Sequence, residues 1–251
     1  MTLAALLAVS GVAQTAKKEP PWVAKDWTQW SSWDCENIQR YSPWAYYWDV
    51  GGREKGLSPY ANADGIWNRA YYLVQLRSAL PVRQAFLKQA QSIKRYDKMD
   101  ASKKQIFDQE YSRDNAKYDG SQVVISWLSY GNSFPGQSRQ GALVLGDGSL
   151  VMPLKTKLDC NQTLVEFGTR IEHSISVCAE YVFPRTVNGK PLYMENDKDF
   201  LFILGSMLPF HGKTEELGPQ RLEDFRRVDR APIGEFRFPI STLMYKGKLE
   251  Y

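Results

Sequence analysis

From residue 123 onward the chain is a succession of short apolar runs separated by turn dipeptides. That rhythm restricts it to a fold of many short antiparallel strands. Residues 123–128 form a compact apolar run. Residues 142–145 and 150–154 flank Asp147-Gly148, which suits a two-residue hairpin turn in which both positions take positive φ. Ile175, Val177, Tyr181 and Phe183 fall on alternating positions, as one face of a strand requires. Asn188-Gly189 turns the chain into 191–194, and residues 200–204 are apolar throughout, as expected of a central strand. Phe236, Phe238 and Ile240 alternate with Glu235, Arg237 and Pro239, and 243–245 faces 248–251 across Lys246-Gly247. With the aromatic and β-branched run at 66–76, about eight strands result, which favours an antiparallel, immunoglobulin-like β-sandwich over a parallel sheet.

Residues 78–118 break the rhythm. Val82, Ala85, Phe86, Ala90 and Ile93 recur at helical spacing. Asp100 or Ser102 can cap a second helix carrying Ile106, Phe107 and Tyr111. Both helices are otherwise charged, so each is expected to bury one face and wet the other. The fold class is therefore mainly β with a helical insertion at 81–118, α+β in content, the helix pair set between two strands. A short helix at 221–228 can cover one end.

The N-terminal part differs in composition. Six of the eight tryptophans lie between Trp22 and Trp48. Trp27, Trp30 and Trp33 recur every third residue, and Ser31-x-x-Asp34 has the form of a capping box opening a helix at 32–41. Ser42-Pro43 reads as the start of another helix, with Trp44 and Trp48 four apart on one face and Gly51-Gly52 at its end. Ahead of this, residues 14–25 with Pro20-Pro21 read as a linker. The apolar run from Leu3 to Val9, followed by Gly11-Val12-Ala13, suits a signal peptide, although no Lys or Arg precedes Lys17. It is shorter than the roughly 20 apolar residues of a membrane-spanning helix, and no later run is long enough. The expected division is a signal peptide at 1–13, a linker and Trp-rich helical arm at 14–60, and a β-sandwich domain at 61–251. The expected location is extracytoplasmic, periplasmic or secreted.

Hydrophobic content of 43% and charged content of 24% are those of a globular chain. A net charge of +4 over 251 residues gives no reason to expect a nucleic-acid partner. Of the three cysteines, Cys35, Cys160 and Cys178, the pair Cys160–Cys178 closes the shorter loop. In an oxidising compartment that bridge would add about 3 kcal/mol. The alternative is three buried thiols acting as small apolar residues.

Three segments carry a resemblance: Ser42-Pro43-Trp44-Ala45, the run from Ser78 to Ala85, and the run from Met244 to Glu250. On these the chain resembles a family of small exported bacterial proteins, of acidobacterial type, of unassigned function. The resemblance covers most of the mature chain. It implies export and a single domain, and it implies no catalytic residue.

Motifs for catalysis are missing. His173 and His211 are the only histidines, and no zinc, phosphate-loop or nucleophile-elbow pattern occurs. No catalytic residue and no cofactor is assigned. Trp30, Trp33, Trp44 and Trp48 are candidate ligand-binding residues, because flat indoles stack on sugars and other extended ligands. Their alternative role is to clamp short helices that are marginal alone. Glu195, Asp197 and Asp199 alternate in a loop, and such hard oxygens could hold a calcium ion. Basic residues from Arg83 to Lys117 could face an anionic envelope polymer, but interleaved Asp97, Asp100, Asp108, Glu110 and Asp114 make a solvated face the simpler expectation. The leading expectation is a non-enzymatic binding or structural module of the cell envelope, partnered by an envelope polymer or protein. The alternatives are an extracytoplasmic hydrolase using carboxylates such as Glu166, Glu172 or Glu180, since paired carboxylates need no sequence motif, and a secreted subunit docking through its Trp-rich arm.

Overall fold

The computed structural model describes residues 19–49, 71–130, 140–158, 175–205 and 234–251. The signal segment, Gly51-Gly52, residues 66–70 and the helix expected at 221–228 lie outside the described residues.

In chain order the elements are α1 (Pro21–Ala24), a 3-10 turn (Trp27–Gln29), α2 (Ser32–Tyr41), β1 (Ala45–Asp49) and β2 (Tyr71–Leu76). Two fourteen-residue helices follow, α3 (Leu80–Ile93) and α4 (Ala101–Asp114). The remaining strands are β3 (Val123–Tyr130), β4 (Gln140–Val144), β5 (Leu150–Val151), β6 (Lys155–Leu158), β7 (Ile175–Phe183), β8 (Thr186–Val187), β9 (Lys190–Pro191), β10 (Asp199–Gly205), β11 (Gly234–Pro239), β12 (Met244–Tyr245) and β13 (Lys248–Leu249).

α2 begins as its residues demand. Ser31 Oγ accepts the Asp34 N–H at 3.2 Å, and Asp34 Oδ2 accepts the Ser31 N–H at 2.9 Å. This reciprocal pair satisfies two otherwise orphaned donors. Lys25 Nζ donates to the same carboxylate at 2.7 Å.

The second helix expected at Ser42-Pro43 does not form. Ser42 Oγ donates to the Ile38 carbonyl at 2.5 Å and accepts the Trp44 N–H at 3.3 Å, so it closes α2 instead. Residues 45–49 become β1, registered on β2 from Ala45↔Gln75 to Asp49↔Tyr71. The aromatic run Tyr46-Tyr47-Trp48 favours a strand, and an available sheet edge outweighs the local N-cap signal. The arm boundary expected at residue 60 therefore falls between two paired strands of one sheet.

Every strand pair among the described residues is antiparallel. One sheet has the order β1-β2-β3-β7-β6, another β11-β10-β4-β5, and β8-β9 and β12-β13 are separate hairpins. The protein is thus mixed α+β, with antiparallel sheets and few helices. Val74, Ile125, Trp127 and Tyr181 of the first sheet share one buried cluster with Leu143, Phe200, Phe202 and Phe238 of the second. Tyr181 and Phe202 meet with ring centroids 5.3 Å apart. Gly141 lies beneath them, where an added Cβ would stand 2.7 Å from Phe202 and 2.9 Å from Tyr181. On the opposite face of β4 and β10, Ala142, Val144, Leu201 and Ile203 are also buried, which accounts for the unbroken apolar run of β10.

Asn188 (φ 52°) with Gly189 (φ 75°), and Lys246 (φ 50°) with Gly247 (φ 77°), form the expected two-residue turns. Asp147-Gly148 does not. Only Gly148 takes positive φ, at 82°. Leu145 N–H donates to the Ser149 carbonyl at 2.9 Å, and Gly148 N–H donates to the Leu145 carbonyl at 2.8 Å. This is a three-residue loop with a glycine bulge, in which Asp147 Oδ1 accepts from Ser149 N–H and Oγ.

α3 and α4 connect β2 to its neighbour β3. α3 buries Pro81, Val82 and Ala85, and Cys35 and Ile38 of α2, with Trp30 just ahead of it, share a buried cluster with Ala85. α4 departs from expectation, for none of its residues is buried. Phe107 rests between Tyr96 and Tyr111, centroids 5.2 and 5.9 Å away, while Ile106 is exposed. Its apolar positions are too few among its charges to make a packing stripe. Among the described residues no helix is long and apolar enough to cross a membrane.

Candidate functional site

The ladder of β2 runs on past Leu76. Arg77 N–H donates to the Val124 carbonyl at 2.7 Å, and Ser78 Oγ accepts the Val124 N–H at 3.0 Å. These bonds fix the junction between β2 and α3 and direct Arg77 under the helices. Its guanidinium Cζ lies 3.4 Å from the centroid of Phe86 on α3 and 4.6 Å from that of Tyr118, just beyond α4. Both rings thus offer a π face to a desolvated cation, where such contacts are strongest. Arg77 is only 6% exposed.

Above it is a cleft of about 420 Å³ between α3 and the α4 segment. Arg77, Arg83, Phe86, Leu87, Tyr111 and Tyr118 are among its lining residues. Nε and Nη1 of Arg77 and Nε of Arg83 are buried and meet no hydrogen-bond acceptor among the described residues. Burial pulls the Arg83 guanidinium below its ordinary value, against the pull of Glu250 and Asp119. Burial likewise pushes the Tyr111 phenol up to about 12, so it stays protonated.

Glu180, on β7 opposite Ser126, lies beneath the cleft and is 2% exposed. Lys117 Nζ and Tyr118 OH both donate to its carboxylate. Burial alone would raise its pKa. The hydrogen bonds from Lys117 and Tyr118, with the charges of Lys117 and Arg77, outweigh that and hold it below the ordinary carboxylate value. Glu180 is therefore an ionised anchor for Tyr118, and through Tyr118 for Arg77. This environment is unlike that of a catalytic acid, whose pKa must be raised. Glu166 and Glu172 lie outside the described residues.

Of Trp30, Trp33 and Trp44, two are buried and one is exposed. Trp30 is buried with Cys35 and Ile38, its Nε1 donating to the Pro21 carbonyl at 3.2 Å. Trp44 is buried in the main cluster, edge-on to Trp22 and Tyr245. Neither has an open face for stacking. Trp33 is exposed, and the Trp48 side chain lies outside the described residues. The clamping role fits Trp30 and Trp44, because short helices need such packing.

The acidic loop also separates. Asp197 Oδ2 accepts the Met194 N–H at 2.7 Å, Asp199 faces Arg237 at 3.8 Å, and Glu195 is exposed. Among the described residues no three His, Cys, Asp or Glu side chains come together as a metal site. Cys160, His173, His211 and the Cys178 side chain lie outside the described residues, so the expected disulfide does too. Cys35 is a buried free thiol, which burial and then Asp34 push up to about 12.

Most of the helical charges are solvated, as in the exposed pairs Lys103–Asp100 and Arg113–Asp114. Arg83 lines the cleft instead, and Lys117 bonds the buried Glu180. Arg77 escaped sequence reading. Its signal is a lone arginine placed directly between an apolar strand and a helix start, where an exposed turn would normally be drawn.

The three segments that carry the family resemblance converge in space. Trp44 Nε1 donates to the Glu250 main-chain oxygen at 2.9 Å, Glu250 Oε2 accepts the Leu80 N–H at 3.1 Å, and Tyr245 OH donates to Gln84 Oε1 at 2.9 Å. No family model, curated protein or solved structure matches the chain.

Proposed function

We propose that this chain is an exported, non-enzymatic binding module of the cell envelope, of the acidobacterial-type family it resembles, and that the cleft between α3 and α4 is its ligand site. Its two main sheets are read as an immunoglobulin-like sandwich. The orders β2-β3-β7-β6 and β11-β10-β4-β5 support this, because they follow the A-B-E-D and G-F-C-C′ orders of that architecture. β1 then extends the A edge, and the helix pair occupies the A–B connection. A sandwich carries no function by itself, so the reading rests on the site. The observation that carries it is Arg77, a buried charge whose Nε and Nη1 meet no acceptor among the described residues, in the wall of a cleft of ligand size.

The hydrolase reading has less support, since Glu180 is committed to Lys117 and Tyr118. A test is a thermal-shift screen of small anionic and neutral compounds, with hits located by NMR and recovered afterwards for mass spectrometry. Hits that map to the cleft and return chemically unchanged support a binding module. Hits that map elsewhere, or return cleaved, contradict it. Fractionation checks export: the protein is expected outside the cytoplasm and processed after residue 13.

A further inference from the structure

We infer that the ligand is a singly charged carboxylate carried on an aryl or alkyl body, seated with its carboxylate on Arg77 and Arg83. The inference rests on the reading of the cleft as the binding site and names the ligand's chemistry. Rings cover the guanidinium of Arg77, so its remaining capacity is in its N–H edge. Buried donors in folded proteins are nearly always paired, and an unpaired one costs about 1–3 kcal/mol. Two such donors on Arg77 and one on Arg83, on residues lining one cleft, meet no acceptor among the described residues, which points to an external one.

Among the described residues the nearby carboxylates do not supply it. Glu180 accepts from Lys117 and Tyr118, and Glu250 Oε2 accepts from Leu80. Asp108 Oδ2 accepts from Tyr96, and Asp119 Oδ1 from Ser121. Guanidinium pairs best with a planar carboxylate, through charge-assisted bonds. A phosphate monoester suits the cleft less well. It brings nearly two charges, and Asp108 and Asp119, both in the lining, would repel the second. Leu80, Phe86, Leu87 and Tyr111 supply the apolar wall that an aryl or alkyl body needs.

The test is calorimetric titration of the mature protein with 3-phenylpropionate, its neutral amide 3-phenylpropionamide, and phenyl phosphate. The same titrations are run on Arg83→Gln and on Ser112→Trp, which fills the cleft from an exposed position on α4. Arg77→Lys is added as a variant that keeps charge and loses the fork. The carboxylate is expected to bind about tenfold or more tighter than the amide and the phosphate, about 1.4 kcal/mol. Arg83→Gln and Arg77→Lys should each remove most of that preference, and Ser112→Trp should abolish binding. Equal affinity for the amide, or tighter phenyl phosphate, overturns the carboxylate inference and leaves the cleft reading standing. Carboxylate binding unchanged in Ser112→Trp places the site elsewhere and overturns both. No binding of the carboxylate at millimolar concentration overturns the inference.

Discussion

The indole N–H of Trp44 donates to the main-chain oxygen of Glu250 at 2.9 Å, across a separation of 206 residues. The bond ties the strand that follows α2 to the end of the chain, and the Glu250 carboxylate reaches on to the first turn of α3. The segment therefore braces one side of the cleft. Trp44→Phe keeps much of the ring and removes the donor. It is expected to cost about 1–3 kcal/mol, by loss of the bond and of packing against Trp22 and Tyr245. Urea unfolding measures it, and an unchanged midpoint would mean that the bond contributes nothing.

Glu180 gives a pH dependence of definite sign. Its folded pKa lies below the ordinary 4.5, so it binds fewer protons folded than unfolded at mildly acidic pH. Its stabilisation is complete above 4.5 and is lost as the pH falls through the lower folded value. Glu180→Gln should be less stable than the parent at neutral pH, and the gap should narrow on acidification below 4.5. Denaturant midpoints taken from pH 7 to pH 3 report this; a gap that widens as the pH falls contradicts the assignment.

Gly141→Ala should destabilise the protein by about 1–3 kcal/mol, the usual cost of overpacking a filled core. The added methyl meets Phe202 and Tyr181, neither of which is a flexible chain end. Calorimetry reads the loss. A wild-type melting temperature would show that the two sheets do not close as tightly as described.

Cys35 should resist alkylation. The reactive species is the thiolate, and a buried thiol at about 12 forms almost none at pH 8. Maleimide labelling of this residue is expected only on unfolding. Rapid labelling of the folded protein would place α2 off α3.

Local signals in the sequence were legible where the structure uses them locally. The Ser31–Asp34 capping box and the Asn188-Gly189 and Lys246-Gly247 turns depend on neighbours within a few residues. Alternation at Tyr181 and Phe183 of β7 and at Phe238 of β11 likewise reports a buried face directly. Ser42-Pro43 misled because its helix-start chemistry is real but weaker than pairing with β2, which no local window contains. Residues 147–148 misled because the turn takes three residues, 146–148, with the left-handed residue at Gly148 alone. Arg77 stayed hidden for a similar reason. The rings that bury it come from α3 and from beyond α4, and composition counts an arginine as exposed. The Trp-rich stretch was conspicuous, yet Trp30 and Trp44 hold elements together, while the cleft residues are ordinary in number and spacing.

The most direct measurement is the ¹⁵N–¹H spectrum of the arginine Nε–H groups during titration with 3-phenylpropionate. The Nε–H signals of Arg77 and Arg83 are predicted to shift together, downfield and saturably, as the carboxylate takes up their buried donors. If both signals stay fixed while the ligand binds, or if the shifts appear only at exposed arginines, the cleft is not where this protein binds.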